Sequence, residues 1–149
     1  MATGDGFTSR LLVGLAEHLR DAGIGAWRST GTYTSGETGI LIRAIPQDPD
    51  RIITLAAYPI GTALQGMADH QLGIQLRLRG TTDPRVCEDL ADTVFDELDS
   101  LAGVSWGGIP IVQVWRQSHA SLGQDGNGRW EASHNYAVHA MRPTSNNTD

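Results

Sequence analysis

Glu88, Asp92 and Asp96 recur at i, i+4 and i+8, a spacing that on a helix sets three carboxylates along one side. Grouped carboxylates are what a hard cation takes, but such an ion needs roughly six to eight oxygens. No second Asp/Glu cluster stands ready to complete that cage, so a solvated helix face is the simpler reading. Cys87 precedes this run near its start. A helix N-terminus favours a thiolate, whereas neighbouring acids and apolar surroundings oppose one; Cys87 therefore reads as a small core residue. His119, His134 and His139 fall on the last extended segments, and His134 and His139 have opposite parity, which keeps them from sharing a site on a regular strand. No Cys–His pair has zinc-finger spacing. The glycine-rich "GTYTSGETG" lacks the lysine and the strand–loop–helix setting of a phosphate loop, and no G-x-S-x-G elbow is present. These residues predict no catalytic centre, no cofactor and no metal.

Aromatic and guanidinium groups on extended segments remain. All 11 basic residues are arginine; this suits planar interface contacts, and a biased genome composition yields the same count. Trp27, Trp106, Trp115 and Trp130 lie in or beside expected strands. Trp and Arg are the side chains most enriched where proteins bind one another.

The elements that must position them can be read from periodicity. Leu11, Leu12, Leu15, Ala16 and Leu19 predict a first helix in "FTSRLLVGLAEHLRDAG", capped by Thr8 or Ser9 and stopped at Gly23, with Gly14 weakening its middle. "AWRSTGTYT" reads as extended, "SGETG" as a turn, and "GILIRAIP" and "RIITLAAY" as strands joined by the turn cluster "PQDPD". "PIGTALQGMADHQ" has no clear period and reads as a loop. In "QLGIQLRLRG" the residues Leu72, Ile74, Leu76 and Leu78 alternate with Gln71, Gly73, Gln75, Arg77 and Arg79, which predicts a strand with one buried face ended by Gly80. Asp83 and Pro84 then supply a helix cap and a first helical position. That helix carries an apolar stripe of Val86, Leu90, Val94, Leu98 and Leu101, widened by Cys87, Ala91 and Phe95. "IVQVWRQSHASL" and "RWEASHNYAVHAM" read as a long hairpin turning at "DGNG", with Asn127 and Gly128 both expected at positive φ. Residues 142–149 read as a mobile tail. The expected fold is α+β, one domain over residues 1–149, with a largely antiparallel or mixed sheet, two helices on one face and a long C-terminal β-hairpin.

Bulk properties narrow the class. The chain has 149 residues and a formal charge of −6. Seven acids between Asp83 and Asp99 against Arg85 account for that charge, leaving the remainder balanced. A general nucleic-acid binder carries a basic stripe instead. One cysteine excludes an internal disulfide and fits a reducing compartment. The opening "MATGDGFTSR" does not read as a signal peptide, and no apolar run approaches membrane-spanning length.

The ordered set "LLVGLAEHLRDAGIGAWR", "GILIRAIPQDPDRIITLAAYPI", "GIQLRLRGTTDPRVCEDLADTVFDEL" and "GIPIVQVWRQSHASLGQDGNGRWEASHNYAVHAMRP" resembles the small tail terminator proteins of long-tailed bacteriophages over nearly the whole chain. That resemblance implies a structural virion protein, made in the host cytoplasm and not an enzyme. It implies a homo-hexameric ring that caps the head-proximal end of the tail tube. Its partners would be further copies of itself, the major tail tube protein and a neck or head-closure connector. DNA would pass through the lumen without sequence-specific binding, and no membrane is involved. The family offers no functional motif to carry over by position. Strand position and residue type alone nominate Arg77, Arg79, Trp115, Arg116, His119, Arg129 and Trp130 as subunit or partner contacts. Two rival readings are a head-closure or neck adaptor protein and a small ligand-binding or enzymatic α+β domain.

Overall fold

Two amphipathic helices cover one face of a seven-stranded mixed sheet in a computed structural model that describes residues 2–60 and 66–148. The chain runs α1 (Phe7–Asp21), β1 (Ala26–Trp27), β2 (Gly39–Ile42), β3 (Ile52–Pro59), β4 (Asp69–Arg79), α2 (Pro84–Leu98), β5 (Ala102–Trp106), β6 (Ile109–Gln124) and β7 (Trp130–Met141). The strand order is β1-β2-β3-β4-β7-β6-β5. Alternation in β4 turns Leu72, Ile74, Leu76 and Leu78 into a single core with Leu11, Leu12, Leu15 and Leu19 of α1 and with Cys87, Ala91, Val94 and Leu98 of α2. Tyr136, Val138 and Ala140 of β7 complete the same layer. The fold is α+β, with both helices on one side of the sheet.

Several local expectations change. Gly6, not Thr8 or Ser9, caps α1, and it does so without a side-chain bond. Only Ala26 and Trp27 of "AWRSTGTYT" pair as a strand. The turn cluster "PQDPD" lies in a crossover between parallel strands, since β2 and β3 pair with Gly39 opposite Ile52 and Ile42 opposite Leu55. Strand β4 begins at Asp69, inside the segment expected to be a loop; residues 61–65 of that segment lie outside the described residues. A further strand, β5, occupies "AGVSW" and turns into β6 through Gly107 and Gly108, both at positive φ. The C-terminal strands thus form a three-stranded meander. At the β6–β7 turn Gly128 alone takes positive φ, while Asn127 does not. Asp125 organises this turn by accepting the Asn127 and Arg129 N–H groups at 2.9 Å each.

Gly14 has a packing role. A Cβ there would lie 2.3 Å from the backbone N of Gly107, so α1 meets the β5–β6 turn backbone to backbone. At the other end of the meander, the Arg142 N–H bonds Ala68 O and the Thr148 N–H bonds Gly66 O.

Candidate interaction surface

Strand β7 is interior along its length, paired with β4 on one side and β6 on the other. Strand β6 is interior only where β5 covers it. The last bonds on its outer edge are Val114 N–H to Leu101 O, Ser100 N–H to Val114 O, and Arg116 N–H to the Asp99 carboxylate at 2.8 Å. From Gln117 to Leu122 every residue is exposed, and among the described residues no strand of the same chain pairs with this outer edge. Two register shifts, at Arg116/Ser118 and Ser121/Gly123, bend it.

The overhang forms one wall of a groove of about 440 Å³ whose other wall is α2. α2 starts where expected: the Asp83 carboxylate accepts the Arg85 N–H at 3.0 Å and Pro84 holds the first helical position. Its buried line runs Cys87, Ala91, Val94 and Leu98, all within the expected widened stripe, while Val86 and Leu90 are half-buried. Glu88 and Asp92 consequently stand at the groove rim. Neither they nor Asp89 and Asp96 have a cationic side chain within 4 Å among the described residues. No group of three His, Cys, Asp or Glu able to hold a metal occurs among those residues. Burial, with Glu88 and Glu131 nearby, pushes the Cys87 thiol up to about 11, so it is no thiolate at neutral pH.

The seven nominated residues separate into three places. Arg116, His119 and Trp130 line the groove. The Arg116 guanidinium sits 4.3 Å from the centre of the Phe95 ring. The His119 ring stacks on His134 at 5.3 Å, with the two ring planes nearly parallel. His134 is 7% exposed, and among the described residues its Nδ1 has no hydrogen-bond partner. Burial first, then Arg116 and His119, lowers its pKa against a smaller opposite pull from Asp92.

Trp115 and Arg77 lie on the face of the sheet away from the helices, in register with Ala137 and Ser133 respectively. Arg77 donates to Glu131 at 3.2 Å.

Arg79 and Arg129 lie inside the subunit, at 3% and 5% exposure. The Arg79 guanidinium donates to the carbonyls of Pro46 (2.7 Å), Pro49 (2.7 Å) and Asp50 (2.9 Å), clamping the β2–β3 crossover. Arg129 holds Asp125 at 2.8 Å and Gln47 O at 2.6 Å, tying the β6–β7 turn to the same crossover. Both side chains are thus engaged by partners within their own chain. Sequence reasoning also missed the contact between the helices and β5. His18 bonds Glu97 at 2.8 Å and accepts the Trp106 indole N–H at 3.3 Å.

A family model described as "Bacteriophage tail terminator protein" matches residues 18–142. The chain belongs to the bacteriophage tail terminator family. It is therefore a virion component, and the groove and strand edge are surfaces of a phage tail structural protein. Among solved structures, a chain from "Virion of native gene transfer agent (GTA) particle" superposes with a TM-score of 0.56, covering 92% of the terminator chain and 98% of its own length. At 14% identity that likeness speaks for the fold. No curated protein sequence matches the terminator chain.

Proposed function

We propose that this chain assembles into a hexameric ring that caps the head-proximal end of the tail tube, ends its polymerisation and offers its outer face to a neck or head-closure connector. Family membership across residues 18–142 carries this reading. The subunit's chemistry is compatible with it. A closed ring needs two different patches on each subunit, and this one has an acidic helix with an open strand edge at one end of its sheet and arginines at the other. The role is structural and not catalytic. DNA crosses the lumen without base-specific contacts, in keeping with the excess of carboxylates. The test is a polymerisation assay with the purified tail tube protein of the same phage. Adding the chain should shorten the tubes in proportion to the amount added. Tubes of unchanged length would overturn the proposal, and binding only to the connector protein would favour a neck adaptor instead.

A further inference from the structure

We infer that neighbouring copies join by adding an edge segment of one subunit, from Gly25 to Arg28, as a strand beside the outer edge of β6 in the next, from Gln117 to Leu122. This rests on the ring reading above and names the surfaces that make the ring.

The sheet has two ends of different chemistry. At one end β1 is a two-residue edge strand followed by Arg28. At the other, β6 overhangs β5, and every residue from Gln117 to Leu122 is exposed. Exposed strand edges recruit further strands unless they are short, charged, covered or interrupted by proline. This edge carries no lysine, no proline and no charge between Gln117 and Leu122, and Leu122 itself is 45% exposed. Joining the two ends covers both edges at once. The contact is heterologous, which lets it repeat in one rotational sense and close.

Charge selects the same pairing. Glu88 and Asp92 stand exposed on α2 at the groove, Asp89 and Asp96 are exposed on the same helix, and none has a cationic side chain within 4 Å among the described residues. At the β1–β3 end Arg43 and Arg51 have only carbonyl and hydroxyl partners, Ala57 O for the first and Gly36 O and Thr38 Oγ1 for the second. A segment lying along β6 under α2 meets carboxylates, and the end of the neighbouring sheet brings guanidinium groups to them. Such complementarity fixes partner and register, while like charges brought together oppose assembly.

A charge-swap experiment tests this. One variant reverses the helix (Glu88→Arg with Asp92→Arg) and a second reverses the other end (Arg43→Glu with Arg51→Glu). Each full-length variant is first checked by circular dichroism for native folding, then assayed by native mass measurement with tail tube protein present. Each alone should assemble at least about tenfold less than wild type. An equimolar mixture should recover, because every contact in an alternating ring then joins opposite charges. If wild type assembles and both variants assemble equally well alone, this pairing is wrong while the ring reading stands. Loss in both variants with no recovery on mixing also overturns the pairing. If wild type neither multimerises nor caps tubes, the ring reading falls first.

Discussion

Arg79 shows how far a residue's role depends on partners distant in sequence. It sits at the end of an alternating strand, where its parity sets it with Gln71, Gln75 and Arg77 as surface. Its side chain instead satisfies carbonyls of a crossover some 30 residues upstream. Nothing local marks that contact, because it exists only once β2 and β3 run parallel and the crossover returns across the sheet. Removing the guanidinium leaves three carbonyls, the buried one of Pro49 among them, short of a donor. Arg79→Ala should therefore lose about 3 kcal/mol or more in urea denaturation. Arg79→Lys should recover little, since an ammonium lacks the planar fork. His134 belongs to the same scale. Its folded-state pKa is lowered by burial, so the unfolded chain binds the proton more readily. Stability from this group is full above the ordinary histidine value of about 6.5 and is lost as pH falls through the window below it. His70 is lowered in the same sense, by burial and Arg142. The melting temperature should fall between about pH 7 and pH 5, and His134→Gln should reduce that fall.

Among elements, those set by short-range rules were legible from the sequence. The β4 alternation and the Asp83–Pro84 start of α2 depend on adjacent residues alone, and both stand as expected. Strand β5 was missed although Gly107-Gly108 is a recognised hairpin signal; its exposed, glycine-containing sequence lacks an apolar run. Gly14 reads as a weak point in a helix when only propensity is counted. In the fold it is the point where α1 touches the β5–β6 turn. Helix propensity alone gives Gly14→Ala a gain of about 1 kcal/mol. A Cβ 2.3 Å from a backbone nitrogen instead forces the helix off its turn, at a cost of roughly 1–3 kcal/mol typical of overpacking. A lower denaturation midpoint for Gly14→Ala confirms the close contact, and a higher one contradicts it.

For the molecule as a whole, the sequence conveyed class and family better than surface. The acidic run on α2 and the order of elements were visible at once. Which nominated residues remain available to a partner was not, because availability depends on long-range packing. Arg116, His119 and Trp130 line the groove, whereas Arg79 and Arg129 are enclosed. The molecule that results has a sheet with two unlike ends, which the proposed ring would bring together. Cryo-electron microscopy of tail tubes grown with the purified chain tests that proposal most directly. A six-fold ring of this subunit is expected at one end of each tube, and none along its length. Tubes with bare ends, or with the chain bound singly along their walls, would contradict it.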